Sequence, residues 1–295
     1  IVITAFLTSF ATRFFAARIP PPVLDRLPIG EQVLLDARVD AVAAGPLIEL
    51  AAGVAHADGG LVTPYGVTVD ATRADVDAAV QRSVTAAAAI GLDTDGVVRV
   101  DDSFADATTS LIAELDASVV ILAWDGPSWA ADYVLGNDID SVGRACPVPM
   151  IAAHVVRPWT RLVVQLGQPQ TSWQREDVEL AADLIRHLHD ADGVPVVVLG
   201  NPDDLPTAVA DIEDAEIVAA GADQTEFMGR LRPDDLLVAP AHIVHDMPPW
   251  RARRLARQIA GSNVAVVAGP HRLTLAHGAG QHGLSTMSPP ITALS

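Results

Sequence analysis

Two glycines follow a strongly apolar stretch near the middle of the sequence, and their spacing is suited to holding a phosphate group. The stretch 119–124 reads VVILAW, and Gly126 and Gly136 come after it with nine residues between them. Glycine lets the backbone approach a bound group closely and adopt positive φ. Asn137 can cap the helix that must begin there, whose free amides and dipole would meet a phosphate. The sequence therefore predicts an anion-binding loop after this strand.

Three carboxylates act against a phosphate in the same stretch. Asp125, Asp138 and Asp140 all lie within or beside the loop. Their negative charges would compete with a phosphate for the amides and for the positive end of the helix dipole. We therefore favour a fold that has lost its ligand over a working phosphate site.

A second group of residues has the types required for acid–base chemistry. His242 and His245 lie close to Asp246 in the sequence. A histidine paired with a carboxylate can move a proton, but covalent catalysis also needs a nucleophile beside it. No such nucleophile is identifiable, so we interpret these residues as polar loop residues and predict no catalytic residues and no enzymatic activity.

Other candidate sites carry less information. His271, His277 and His282 could hold a metal in principle, but in a flexible tail they are expected to be solvated. The GxGxxG pattern at 278–283 has no strand before it and no helix after it, which a dinucleotide site requires. The single cysteine, Cys146, excludes an internal disulfide bond and a cysteine-built metal site. We predict no metal site.

The charge balance bears on the choice of partners. The formal net charge is −18, all 19 basic residues are arginines, and 37 residues are acidic. A nucleic acid would be repelled, so we exclude a general nucleic-acid-binding function. Four of the arginines cluster, at Arg251, Arg253, Arg254 and Arg257. They form either a contact for an anion, an acidic partner or membrane headgroups, or a solvated helix face.

The elements that must position these residues alternate between strand and helix. Helix starts are predicted at Thr72, Ser103 and Thr171, each followed three residues later by a residue suited to capping. Proline at 46 and glycine at 59 bound a further helix. The alternation predicts parallel strands joined by right-handed crossovers. Strands are expected at 33–38, 61–70, 97–102, 119–124, 148–156, 161–167, 194–200, 215–221, 235–240 and 263–269.

These strands fall into two similar sets of five, so the chain is predicted to be a tandem of α/β halves. The length of 295 residues is suited to two domains of ordinary size. We place the first domain at 32–157 and the second at 158–270. Residues 1–18 are assigned to the end of a transmembrane helix, 19–31 to a proline-rich linker and 271–295 to a flexible tail.

The beginning of the chain has two interpretations. The first twelve residues carry no charge and are too few to span a bilayer alone. One interpretation is an amphipathic or core helix. The other, which we favour because the chain begins with Ile1 rather than methionine, is the last part of a transmembrane helix. Arg13, Arg18 and Arg26 would then mark its cytoplasmic side.

Three features together resemble the universal stress protein family. They are an aspartate, Asp36, at the end of the first strand, the order of five alternating strands and four helices, and the glycine loop. In that family the loop runs glycine, two residues, glycine, nine residues, glycine, then serine or threonine. Here Ala123 replaces the first glycine, Gly126 and Gly136 match, and Asn137 replaces the hydroxyl residue. The resemblance implies two flavodoxin-like domains, each with a five-stranded parallel sheet.

The resemblance also implies a ligand for the first half. Asp36 would lie near an adenine, and the residues of the loop would hold phosphate, so ATP or another adenine nucleotide is the candidate cofactor, although none is firmly implied. In the second half Ala239, Ala241 and His242 occupy the corresponding positions. The glycines are missing there, which makes a nucleotide less expected than in the first half.

A separate resemblance concerns residues 1–22. IVITAFLTSFATRFFAARIPPP is similar to the end of the last transmembrane helix of monovalent cation:proton antiporters, with spaced threonines at Thr4, Thr8 and Thr12. Some bacterial members of that family carry stress-protein-like modules on the cytoplasmic C-terminus. The resemblance implies the regulatory end of such an antiporter at the cell membrane, facing the cytoplasm. Its partners would be the transport domain of the same polypeptide and a second copy in a homodimer. The alternative is a free-standing tandem protein that binds an adenine nucleotide.

Overall fold

The structure is a computed structural model that describes residues 28–38, 43–69, 71–124, 138–219, 226–227, 229–245 and 262–270. Strands and helices alternate along most of these ranges. The strands are β1 Gln32–Asp36, β2 Leu61–Thr68, β3 Val97–Val100, β4 Val119–Ala123, β5 Met150–His154, β6 Arg161–Gln165, β7 Val196–Leu199, β8 Glu216–Val218, β9 Asp235–Pro240 and β10 Asn263–Ala268. The helices are α1 Ala44–Asp58, α2 Arg73–Ala89, α3 Phe104–Glu114, α4 Asp138–Ala145, α5 Ser172–Asp192, α6 Thr207–Ala210 and α7 Ala241–His245, with a turn of 3₁₀ helix at Pro202–Asp204.

The helix starts predicted from the sequence are confirmed. The side chains of Thr72, Ser103 and Thr171 each accept a hydrogen bond from the backbone amide three residues further on. Thr171 also forms a complete capping box with Gln174. These bonds satisfy amides that the first turn of a helix leaves without an intrahelical partner. The carboxyl end of α1 is capped by Gly59, whose φ of 62° lies in the left-handed region that glycine adopts readily.

All ten strands form one sheet, in the order β3-β2-β1-β4-β5-β10-β9-β6-β7-β8. Every neighbouring pair is parallel except β5 and β10, which are antiparallel. If the five strands of each half are numbered along the chain, both halves have the order 3-2-1-4-5 from the outermost strand to the centre of the sheet. Because β5 and β10 are antiparallel, the strands of the two halves run in opposite directions, and their carboxyl ends lie on opposite sides of the sheet along the strand direction.

The helices cover both faces of the sheet. One core is formed by α1, α2 and α5 with residues such as Val33 and Val164, and the other by α3 and α4 with residues such as Leu34 and Val163. Successive residues of a strand point to opposite faces, so both faces of each central strand are buried. This burial is the reason that the strands read as continuous apolar runs in the sequence.

The two halves are joined by the ladder between β5 and β10. His154 pairs with Val264 and Ile151 pairs with Val267, so exchanging the halves reproduces the register. Asn263 reinforces the end of the ladder. Its Oδ1 accepts a hydrogen bond from the amide of Val156 at 3.1 Å, and its Nδ2 donates to the carbonyl of Arg157 at 3.0 Å.

A helix pair also joins the halves on one face. Helices α1 and α5 are the equivalent helices of the two halves, and they pack against each other. Gly53 permits this close approach, because a Cβ atom at that position would lie 2.7 Å from Cδ2 of Leu188. The halves thus share a core as well as a sheet.

These observations confirm the predicted fold class, a tandem α/β arrangement with parallel five-stranded sheets. The sequence did not indicate that the two sheets join into one. The domain limits 32–157 and 158–270 stay a prediction, and each range contains five strands of the sheet. The assigned segments 1–18 and 271–295, and most of 19–31, lie outside the described residues. Within the described ranges, no helix combines the length and the apolar character needed to cross a bilayer.

Replacing Asn263 by leucine should weaken the junction between the halves. Asn263 is fully buried, so its loss leaves the amide of Val156 and the carbonyl of Arg157 without that partner. We expect the free energy of unfolding to fall by about 3 kcal/mol in urea titrations. The matched control is Asn201→Ala, which removes only a partly exposed cap of a short turn and should cost about 1 kcal/mol or less. Equal losses would contradict the role given to Asn263.

Two carboxylates on the paired helices predict a pH dependence. Burial, followed by the charge of Asp192, raises the pKa of Glu49, and burial raises the pKa of Asp192 itself. A carboxyl whose pKa is raised on folding stabilises the fold only while protonated, so this contribution is lost as pH rises through the raised pKa values. Asp192→Asn should therefore add roughly 0.5 kcal/mol of stability at pH 7 and little below pH 4. Asp190→Asn is the control, since Asp190 pairs with Arg186 and should yield no gain. Urea titrations between pH 4 and pH 7 measure the free energy of unfolding of both variants.

Candidate ligand-binding cleft

The strand order defines where a ligand is expected in the first half. From β1 the chain moves to β2 and then to β3, whereas β4 lies on the other side of β1. Ligands of open α/β sheets bind outside the carboxyl ends of the strands at this reversal of direction. The carboxyl ends of β1 and β4 are formed by Asp36 and Ala123.

Asp36 lies at this point and is bound tightly by Arg38. The carboxylate is 1% exposed. Arg38 Nε lies 3.1 Å from Oδ1, Arg38 Nη2 lies 3.2 Å from Oδ2, and the backbone amide of Arg38 donates to Oδ1 at 3.0 Å. Nη1 of Arg38 reaches Asp138 Oδ2, at the start of α4, over 2.7 Å. Arg38 therefore links the end of β1 to α4.

Aromatic rings form the apolar side of the same cluster. The guanidinium carbon of Arg38 lies 3.4 Å from the centroid of the Phe104 ring, a cation–π contact. Phe104 stacks in turn on Tyr65, with centroids 6.0 Å apart, and the hydroxyl of Tyr65 is hydrogen-bonded to Thr108. Burial, together with the nearby charge of Asp36, raises the pKa of the Tyr65 hydroxyl well above its usual value. Tyr65 is therefore a neutral, structural member of the cluster.

The charge of Arg38 is fixed by its neighbours. Burial alone would lower the pKa of the guanidinium, but the carboxylates of Asp36 and Asp138 raise it above its already high value. Arg38 is consequently a permanent cation, and its contacts do not depend on pH in the physiological range.

An open cleft of about 560 Å³ lies beside this cluster. Its walls come from the end of β2, from α2 and from the starts of α3 and α4, and its charged side chains are Arg38, Arg82, Asp75, Asp102 and Asp138. Clefts of this size commonly hold small ligands. Its negative charge rises further with Asp36, which lies behind Arg38.

Two of the five predicted site residues, Asp36 and Ala123, lie within the described residues. Asp36 and Ala123 are neighbours at the switch point, but they face opposite sides of the sheet. Ala123 packs on the core of α1, α2 and α5, whereas Asp36 points toward Phe104 through Arg38. Gly126, Gly136 and Asn137 lie outside the described residues. The assignment of nucleotide contacts to these five positions stays a prediction.

In the second half an open cleft of about 530 Å³ lies beside residues 167–170 and 204–206, after β6 and β7, and a buried histidine lies after β9. His242, in α7, is 5% exposed, and its Nδ1 lies 3.9 Å from Oδ2 of Asp177 on α5. Oδ1 of Asp177 accepts a hydrogen bond from the amide of Gly269 at 2.8 Å, and Trp173 packs edge-on against the imidazole. In the part of the chain that the structure describes, the neighbour of His242 is thus Asp177, which sequence spacing did not indicate. The pairing of His242 with His245 and Asp246 has no support here, and Asp246 lies outside the described ranges.

The described residues hold neither a set of metal ligands nor an exposed thiol. No group of three or more histidine, cysteine, aspartate or glutamate side chains among them could hold a metal ion. Cys146 is buried, and burial raises the pKa of its thiol to about 11, so the thiolate is scarce at neutral pH. The first-half cleft instead offers fixed charges and an aromatic face, which are recognition elements.

Sequence reasoning identified Asp36 but missed Arg38 and Phe104. The sequence did contain a signal for the contact between Arg38 and Asp36. The two residues are two positions apart, and residues i and i+2 of an extended chain point to the same side. Phe104 gave no such signal, because it meets Arg38 only through the fold. Asp138 was noted only as a charge that would oppose a phosphate.

Comparisons with known proteins concern the fold. No protein-family model and no curated protein matches the sequence. A functionally unknown protein from Pseudomonas aeruginosa PAO1 is 15% identical, with a TM-score of 0.49, covering 80% of this chain and 92% of its own. A putative universal stress protein from Pseudomonas aeruginosa UCBPP-PA14 is 16% identical, with a TM-score of 0.48, covering 81% and 92%. A universal stress protein in complex with cAMP is 19% identical, with a TM-score of 0.35, covering 41% and 94%. The structural neighbours thus include universal stress proteins.

Replacing Arg38 by leucine tests the importance of the cluster. The variant leaves the buried carboxylate of Asp36 without its cationic partner, which should cost about 3 kcal/mol of unfolding free energy. Arg99→Leu is the matched control, because Arg99 pairs with the half-exposed Glu114 at 2.7 Å and should cost less than about 1 kcal/mol. Urea denaturation at pH 7 measures both, and similar losses for the two variants would show that the Asp36–Arg38 pair has no special weight.

Proposed function

We propose that this chain is a regulatory protein whose first half binds a small ligand, and that it catalyses no reaction. The observation that carries the proposal is the open cleft at the switch point, with the charged pair Asp36–Arg38 at its inner end. Ligand binding there would act on Arg38 and, through Asp138, on α4. Such a link offers a route from a bound ligand to a change in the surface of the protein.

An adenine nucleotide is the ligand to test first. This choice follows from the resemblance of Asp36, Ala123, Gly126, Gly136 and Asn137 to the universal stress protein motif. The universal stress protein that was solved in complex with cAMP also holds an adenine nucleotide. The three carboxylates on the walls of the cleft oppose a phosphate, so its charge must be offset by the arginines of the cleft or by a bound cation. Nucleotides are therefore to be tested with and without Mg²⁺.

Thermal unfolding of the whole chain tests nucleotide binding. If the proposal is correct, millimolar ATP, ADP, AMP or cAMP raises the melting temperature, because a ligand at 100 times its dissociation constant stabilises the folded state by about 2.7 kcal/mol. Phe104→Leu should reduce the shift at least threefold, whereas Phe227→Leu, a phenylalanine of the second half beside Arg161, should leave it unchanged. The absence of a shift with all four nucleotides, with and without Mg²⁺, would refute nucleotide binding.

We further propose that the regulated partner is a monovalent cation:proton antiporter of which this chain is the cytoplasmic C-terminal region. The proposal is supported by the resemblance of residues 1–22 to the last transmembrane helix of that family. A regulatory ligand has an effect only if it binds one transport state better than another. The chain would then lie at the cell membrane, attached to its transport domain. A homodimer would have to use a surface other than the inner edges of β5 and β10, which pair with each other.

The coding DNA upstream of Ile1 separates this proposal from its alternative. Several apolar segments of about 20 residues, in the same reading frame, would support the antiporter. Deleting 32–270 from that transporter should then alter the pH or ion dependence of transport, and unchanged transport would refute the regulatory role. A start codon a few residues upstream of Ile1 would favour a free-standing tandem protein instead.

A further inference from the structure

The side chain of Arg38 is held in the manner of a bound ligand. Its planar guanidinium forms a two-pronged contact with Asp36, through Nε and Nη2, and its central carbon lies 3.4 Å from the centroid of the Phe104 ring. A buried carboxylate and an aromatic face arranged in this way recognise a planar cation with two parallel N–H donors. A rounded ammonium group satisfies neither contact as well.

The contacts of Arg38 are arranged so that the side chain can leave. Arg38 follows the last residue of β1 by two positions, and its side chain is 32% exposed at the wall of the cleft. Its third contact, Asp138, is itself 56% exposed. If the side chain left, Asp36 would keep the hydrogen bond from the backbone amide of residue 38 at 3.0 Å. The carboxylate would then face the cleft with one hydrogen bond already made.

The charges around the cleft select the ligand that could replace Arg38. Without the guanidinium, the carboxylates of Asp36, Asp75, Asp102 and Asp138 would face a single cation among the described lining residues, Arg82. Such a site attracts a cation and repels an anion. Its volume of about 560 Å³ is suited to a small molecule.

We propose that Asp36 and Phe104 form a seat for the guanidino group of a small molecule, and that Arg38 is its intramolecular occupant. An external guanidino compound enters the cleft, takes the place of the Arg38 side chain on Asp36 and breaks the link from Arg38 to Asp138. The proposal rests on the first-half cleft being a ligand site, but not on that ligand being a nucleotide. It identifies a cationic ligand class that nucleotide binding does not imply.

The test compares agmatine with 1,5-diaminopentane on the full chain. Both are diamine-like cations of similar length, and only agmatine carries a guanidino group. In Arg38→Ala the seat is empty, so we expect agmatine to bind at least tenfold more tightly than to the unsubstituted chain and at least tenfold more tightly than diaminopentane. Calorimetric titration and the shift in melting temperature at 1–20 mM ligand measure both. Adding Asp36→Asn or Phe104→Leu to Arg38→Ala should remove the preference for agmatine.

A second variant covers the case in which Arg38→Ala does not fold without ligand. Arg38→Lys keeps the charge beside Asp36 but not the two-pronged contact, so agmatine should displace the lysine and stabilise this variant more than diaminopentane does. Equal effects of the two compounds on both variants would overturn the seat, as would an agmatine preference that survives Asp36→Asn.

The outcomes for the seat and for nucleotide binding are separable. A shift with ATP in the unsubstituted chain, together with no agmatine preference in either variant, would overturn the seat and leave nucleotide binding intact. An agmatine preference without any nucleotide shift would support the seat and refute the nucleotide. An arginine-containing peptide that binds better than agmatine would overturn the small-molecule class, since it would assign the seat to a protein side chain.

Discussion

The right-handed sense of parallel crossovers is the constraint from which the rest of this structure follows. Because a crossover between parallel strands turns in one sense only, a chain that moves outward from β1 to β3 and then returns to β4 must place its helices on opposite faces of the sheet. The helices part at β1 and β4, so a crevice between the ends of these strands is expected. Asp36 ends β1 at that crevice, so the fold itself brings a carboxylate to the place where a ligand can enter.

A carboxylate buried at that position needs a partner, and the nearby chain supplies one. Asp36 is 1% exposed and pairs with Tyr65 across β1 and β2, so an unpaired charge there would be costly to bury. Arg38 neutralises it from two residues away and, through Asp138, reaches an element 100 residues further along the chain. A local electrostatic requirement thus creates a long-range link. In the second half, His242, two residues after β9, is buried and packs edge-on against Trp173.

Local signals in the sequence were sufficient for the elements, but not for the contacts between them. Thr72, Ser103 and Thr171 indicated their helices because a cap acts on amides within three residues. Asp36 could be singled out because an aspartate at the end of the first strand resembles the universal stress protein family. The contacts of Arg38 with Phe104 and Asp138, and of His242 with Asp177, depend on the folded chain bringing distant residues together. The pairing of β5 with β10 was equally inaccessible, since an apolar strand does not specify which edge it will meet.

The symmetric register of β5 and β10 has a consequence for how the halves could diverge. A two-fold interface between identical subunits forces every substitution to occur twice, once on each side. In a single chain with the same geometry, each side is free to change alone. Asn263 shows this freedom, because its side-chain amide bonds across the junction, whereas the matching register position of the first half is Pro149, which has no side-chain amide. Duplication followed by fusion would let the crevice of one half acquire side chains that the crevice of the other half lacks.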